Sequence, residues 1–241
     1  MMQKALLAGI AAIALSAGSA LAAPITIGPG PDAGTPDPGV IPSGLPGGGT
    51  NEFLPLFGIP GSGNGYGYFG STISGLAGDY LIEYFGAEAS NRNQFAAPGG
   101  TVLFTHGGGT TIAGSLAAPL DTATVTLGGG TLDFRFLVNS VAANAVVNGA
   151  NNNNVVGPPN VGPNFFASFD PTDAAGNGGL TGNGVYLFLD DANDVDDNHD
   201  DMMVRITFIE TAVPEPATLG LLGAGLLGLG LVARRRRAAA G

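Results

Sequence analysis

Residues 121–127 read Asp-Thr-Ala-Thr-Val-Thr-Leu, and residues 131–139 read Thr-Leu-Asp-Phe-Arg-Phe-Leu-Val-Asn. In the first run Ala123, Val125 and Leu127 fall on one side and three threonines on the other. In the second, Leu132, Phe134, Phe136 and Val138 oppose Asp133 and Arg135. A strict period of two is the signature of half-buried β-strands, because successive side chains point to opposite faces of a sheet. Residues 79–85, 101–105, 185–189 and 202–209 repeat the pattern, and the triple glycines 107–109 and 128–130 punctuate it as turns. Short alternating strands at this spacing predict an all-β domain over 51–212, an antiparallel β-sandwich or jelly roll. The asparagine-rich stretch 148–164 reads as a polar loop between strands. No repeat of fixed period is present, which argues against a solenoid or propeller.

Composition supports this reading. The 241 residues include 42 glycines, which at about 1 kcal/mol each relative to Ala in a helix interior disfavour long helices. With no cysteine, no disulfide can staple the fold. The net charge is −11, and Lys4 and four arginines at the C-terminus leave only Arg92, Arg135 and Arg205 in the body. An acidic body repels nucleic acid and attracts divalent cations.

The flanks read as targeting segments. Residues 1–22 have the build of a secretory signal peptide: Lys4, an apolar run over 5–17, and Ala20-Leu21-Ala22 as a cleavage site. Residues 23–50 carry seven prolines and many glycines and read as an extended linker. At the far end Val213-Pro214-Glu215-Pro216 leads into the uncharged run 217–233 and then Arg234, Arg235, Arg236 and Arg237. Seventeen residues make roughly 25 Å of helix, the short end of what spans a bilayer. A single transmembrane helix over 217–233 is expected, its arginines cytoplasmic and the body outside. Gly220, Ala224 and Gly228 lie four residues apart on one face, as in packed membrane helices. Dilution of hydrophobicity by small residues explains them equally well.

This terminal arrangement over 213–237 resembles the PEP-CTERM sorting signal of Gram-negative bacteria: a Pro-Glu-Pro motif, a glycine- and leucine-rich span and an arginine cluster. The resemblance implies that an exosortase-type enzyme of the inner membrane recognises Pro214, Glu215 and Pro216, and that the membrane helix is transient. It further implies export through the secretion machinery to the cell surface or to an exopolysaccharide-rich biofilm matrix. Prolines on both sides of Glu215 hold the motif extended, as a processing enzyme would require.

The densest chemistry lies in residues 190–201, with seven aspartates in twelve positions. Such a run repels itself unless it is solvated or bound to a hard cation, and Ca²⁺ takes six to eight oxygen ligands. The candidate ligands are Asp190, Asp191, Asp194, Asp196, Asn198, Asp200 and Asp201. An EF-hand frame starting at Asp194 fails, since position 6 is His199 instead of Gly and position 12 is Arg205 instead of Glu. The stretch also resembles an acidic motif that recurs in PEP-CTERM proteins, Asp190-Asp191 followed by residues 196–201. Gly86, Glu88, Ala89, Asn91, Asn93 and Phe95 resemble a second segment of that group. His199 has no second histidine at ligand spacing, and His106 stands alone beside a glycine turn; both read as ordinary hydrogen-bonded histidines.

Nothing supports a familiar catalytic frame. Gly-x-Ser-x-Gly, His-Glu-x-x-His and a P-loop lysine are missing, and there is no cysteine nucleophile. A glycosidase pair drawn from Glu83 or Glu88 with an aspartate would leave no trace in sequence, but tryptophan for sugar stacking is absent. The expectation is an exported, non-enzymatic structural or interaction protein of the cell surface or matrix, with a Ca²⁺-binding acidic loop. The alternatives are a carbohydrate-active enzyme or carbohydrate-binding module of the same matrix, and an envelope protein that keeps its anchor.

Overall fold

The computed structural model describes residues 23–30, 35–42, 49–151, 162–191, 198–210, 223 and 225–230. They belong to two units, Met1–Ile209 and Glu210–Gly241. The expected signal peptide, 1–22, lies outside the described residues.

The first unit is built of short antiparallel strands. In chain order these are β1 (Ile25–Pro29), β2 (Asp37–Ile41), β3 (Gly65–Phe69), β4 (Ser71–Gly75), β5 (Gly78–Ala89) and β6 (Gln94–Ala96). Next come β7 (Val102–Thr105), β8 (Gly109–Ile112), β9 (Asp121–Leu127), β10 (Gly130–Thr131), β11 (Arg135–Leu137) and β12 (Ala145–Val147). The last four are β13 (Asn164–Ser168), β14 (Thr181–Gly182), β15 (Gly184–Asp190) and β16 (Met202–Phe208). They form an eight-stranded sheet in the order β2-β3-β13-β15-β16-β5-β8, with β9 also on β5. Two four-stranded sheets run β10-β4-β1-β14 and β12-β11-β6-β7.

The expected all-β, antiparallel class is what forms, but its strands divide among three sheets. The central sheet is buried on both faces, which explains why β15 reads as an unbroken apolar run. Val185, Leu187 and Leu189 enter one core with Ile82, Val204 and Ile206, against residues of both smaller sheets such as Ile27, Ile73, Phe95 and Phe136. Tyr186 and Phe188 enter a second core with Phe53, Leu54, Phe166 and Met203. A 3-10 turn, Leu54–Phe57, supplies part of that second cover. Each such side chain removed from water contributes about 1.5–3 kcal/mol, and without disulfides these two cores must hold the fold.

Two sequence expectations need correction. Residues 23–50 are not simply a linker, because Ile25 and Ile27 alternate into the core and β1 pairs along its length with β4. β2 forms although it contains Pro38, since among the described residues it is an edge strand with β3 alone beside it, where a missing donor is tolerated. Residues 131–139 keep their alternating burial but not one ladder. Thr131 pairs with Ser74 in one small sheet, whereas Arg135–Leu137 pairs with β6 in the other. The chain changes sheets between them, and Asn148 closes the gap. Its Nδ2 donates to the Ile73 and Leu132 carbonyls at 2.7 and 2.8 Å, while its Oδ1 accepts from Ile73 N–H at 2.8 Å.

β5 carries a bulge that sets up the region below. Val204 pairs with Tyr84 but Met203 with Gly86, so Phe85 is the extra residue and turns into the second core. Gly86 sits at φ 125°, and a Cβ there would lie 1.9 Å from the Thr111 carbonyl oxygen.

In the second unit, residues 223 and 225–230 are helical, and Leu226, Leu227 and Leu229 are exposed. Among the described residues no helix is long and apolar enough to cross a membrane. Most of the expected span 217–233 lies outside them, as do Pro214, Glu215, Pro216 and Arg234–Arg237.

Candidate functional site

β15 and β16 are neighbours along their whole length, so residues 191–201 join two adjacent strands, as their sequence position suggested. Asp194 and Asp196 lie outside the described residues. The other five candidate ligands are brought together at the two ends of the loop. Asp190, Asp191, Asn198, Asp200 and Asp201 are all buried, Asp200 to 1% exposure. The described ends of the loop are thus withdrawn from solvent.

The two ends are tied directly to each other. Asp191 N–H donates to Asp201 Oδ2 at 2.7 Å, and Asp201 N–H donates to the Leu189 carbonyl at 3.1 Å. Asn93, fully buried, donates through Nδ2 to Asp191 Oδ2 at 2.8 Å and to the Asp201 carbonyl at 3.4 Å. Its Oδ1 is buried without a hydrogen-bond partner among the described residues.

A second clasp comes from the segment after Gly49. Asn51 Nδ2 donates to the Asn198 and His199 carbonyls at 2.7 and 3.1 Å. Its Oδ1 accepts from Phe53 and Leu54 N–H at 2.9 and 3.1 Å, an Asx turn that leads into the 3-10 turn. Glu52 N–H donates to Asp200 Oδ2 at 3.0 Å, and Glu88 N–H to the Asp200 carbonyl at 2.8 Å. His199 is wholly buried; its Nε2 donates to Asn164 Oδ1 at 2.9 Å and its ring packs against Phe69 at 5.1 Å. It takes φ 58°, the left-handed turn for which an EF-hand loop uses Gly. Arg205, at the frame's twelfth position, lies within β16, so no EF-hand forms.

Buried carboxylates this close disfavour one another's charge. Burial first, then the neighbouring Asp191, with smaller contributions from Asp190 and Asp200, pushes the Asp201 carboxyl up to about 9. The Asp191 N–H acts in the opposite direction. Carboxylates beside an unpartnered amide oxygen are the hard donor set Ca²⁺ takes. Among the described residues, however, no three carboxylates or histidines converge as a metal centre.

The remaining titratable candidates separate. Glu83 is held in a fork by Arg205, with Nε on Oε2 at 2.5 Å and Nη2 on Oε1 at 2.7 Å. Arg205 also donates to the Tyr186 hydroxyl at 3.0 Å and lies over the Phe85 and Tyr186 rings. That glutamate thereby braces neighbouring strands β5 and β16. Glu88 lines a cleft of about 390 Å³ with Thr50, Glu52, Thr110, Asn198 and Asp200. His106 is buried between Tyr84 Oη at 3.5 Å and the Ala89 carbonyl at 3.4 Å. Sequence reasoning missed Asn51 and Asn164 as supports of the loop. An Asn shortly before Leu-Pro-Leu is an Asx-turn signal, so Asn51 had a readable cue; Asn164 had none.

No curated protein and no solved structure matches the chain. The family profile of the PEP-CTERM protein-sorting motif matches residues 212–237, the terminal stretch already singled out by its Pro-Glu-Pro, apolar run and arginines. The chain thus carries a PEP-CTERM protein-sorting motif, which follows in sequence a β domain whose described strands form three sheets.

Proposed function

We propose that this is an exported, non-enzymatic structural or interaction protein of the cell surface or polysaccharide matrix, whose loop 190–201 binds Ca²⁺ and rigidifies the β domain outside the cell. The sorting motif at 212–237 carries the first part, since it implies export, sorting to the envelope or surface, and an exosortase as processing partner. On this reading residues 1–22 are removed on export through the secretion machinery. Pro214, Glu215 and Pro216 are recognised, 217–233 crosses the membrane transiently, and Arg234–Arg237 hold the cytoplasmic end.

The cation is supported by the burial of four loop aspartates and by the orphaned Asn93 Oδ1 beside two of them. Asp194 and Asp196 then contribute ligands together with Asp190, Asp191, Asn198, Asp200 and Asp201. The test of sorting is the mass of the mature protein recovered from producing cells. The expected mass lacks 1–22 and the residues beyond the Pro-Glu-Pro, and Glu215→Ala restores the tail. A surface-exposed protein that keeps its tail would contradict the processing and favour a permanently anchored envelope protein.

One observation favours the carbohydrate-active alternative: Glu52, Glu88 and Asp200 share a cleft. Cleavage or binding of the cell's own exopolysaccharide, lost in Glu88→Gln, would support that reading in place of ours.

A further inference from the structure

β9 forms the outer edge of the large sheet alongside the first half of β5. Among the described residues it pairs with β5 alone, and Thr122, Thr124 and Thr126 are exposed. Its far side offers seven residues of backbone, about 24 Å at 3.4 Å per residue. Other edges are blunted. β2 contains Pro38, β10 and β14 are two residues long, β12 three, and β7 and β8 four. β9 has no proline, lysine, glycine or bulge, and its one charge stands at its first position. Natural proteins suppress edges of this kind unless another strand is meant to add there.

The sequence of β9 is self-complementary about Thr124. Antiparallel pairing with itself in that register sets Ala123 against Val125, Thr122 against Thr126 and Asp121 against Leu127. Thr–Thr and apolar–apolar neighbours are favourable cross-strand pairs. The two Asp121 carboxylates end up about 20 Å apart at opposite ends of the ladder. That placement matters because two copies, each with net charge −11, repel at long range. Asp121 Oδ1 already takes the Thr122 N–H at 2.7 Å, so that end of the strand is the least open to a partner. We propose that β9 docks antiparallel onto β9 of a second copy of this chain, centred on Thr124, which joins two eight-stranded sheets into one across a two-fold axis.

The chain has no cysteine, which makes the register directly testable. Single substitutions Thr122→Cys, Thr124→Cys and Thr126→Cys are made in the full chain, kept in mild detergent and oxidised. Thr124→Cys is expected to cross-link with itself several-fold faster than Thr122→Cys or Thr126→Cys alone, and the latter two are expected to cross-link when mixed. Sedimentation equilibrium of the unsubstituted chain shows a dimer, and both Thr124→Lys and Val125→Pro shift it to monomer. Thr124→Lys keeps its melting temperature, which separates lost pairing from lost folding. Self-linking at equal rates for all three cysteines, or no more than for an exposed Thr172→Cys control, overturns the proposal. So does a dimer that survives both edge substitutions. A monomer at roughly millimolar protein, where even a weak small interface would be populated, also overturns it and leaves the edge to an extended segment of some other protein.

Discussion

The backbone N–H of Asp191 donates to the Asp201 carboxylate at 2.7 Å, so the first and last residues of the loop between β15 and β16 are clasped. Asn93 reaches that clasp from elsewhere in the chain, Asn51 holds the loop's end at Asn198 and His199, and both are fully buried. The acidic loop is therefore anchored in the body of the fold and its energetics can be measured as stability.

Asn51→Ala removes four hydrogen bonds and leaves two carbonyls and two N–H groups without their side-chain partner. A loss of about 3 kcal/mol is expected, given about 1–3 kcal/mol per unsatisfied buried group. In a chain of this size that lowers the melting temperature by about 6–12 °C, measured by calorimetry. Asn51→Asp keeps the acceptor but sets a carboxylate oxygen against the Asn198 and His199 carbonyls, so it is expected to recover none of the loss.

Asp201 contributes a distinct pH dependence to the cation-free protein. Its folded-state pKa, about 9, stands above the ordinary value of 3.8. The unfolded chain therefore gives up this proton first. The contribution of Asp201 is full below the unfolded value and is lost as pH rises toward 9. In EDTA the stability should fall across that window, and Asp201→Asn should flatten the curve. A profile that rises with pH and ignores the substitution would contradict the clustering of charge seen here.

Arg205→Ala strands the buried Glu83 carboxylate and is expected to cost about 3–5 kcal/mol. The double substitution Glu83→Gln with Arg205→Met should recover most of it, because removing both charges leaves nothing uncompensated. Urea unfolding of the four proteins in the cycle gives the coupling directly.

Gly86→Ala meets both a φ of 125° and the Thr111 carbonyl oxygen. A destabilisation of at least about 3 kcal/mol is expected. Gly107, at ordinary φ with open space around its Cα, should accept alanine with little change. Equal melting temperatures for the two variants would argue against the bulge in β5.

Much of the fold was legible because β9 alternates with a strict period of two, while β15 and β16 are short apolar runs of strand length. What escaped depended on partners far along the chain. β1 and β2 are short, proline-flanked strands that exist because β4 and β3 lie ready to pair with them. The run at 131–139 alternates correctly yet serves two sheets, since alternation reports which face a residue takes and says nothing of the neighbouring strand. The acidic loop was conspicuous in composition, but the burial of its described ends was not. That burial comes from Asn51, Asn93 and Asn164, and an asparagine that hydrogen-bonds across the fold looks in sequence like one in a loop.

The most direct test of the account is thermal unfolding of the purified protein in EDTA and then in millimolar Ca²⁺, with Mg²⁺ as comparison. A cation that binds only the folded state at 100 times its Kd adds about 2.7 kcal/mol. The account predicts a rise in melting temperature with Ca²⁺ that is abolished in Asp196→Ala and in Asp200→Ala. An unchanged melting temperature at every Ca²⁺ concentration would contradict it and leave loop 190–201 as an acidic turn held by asparagines alone.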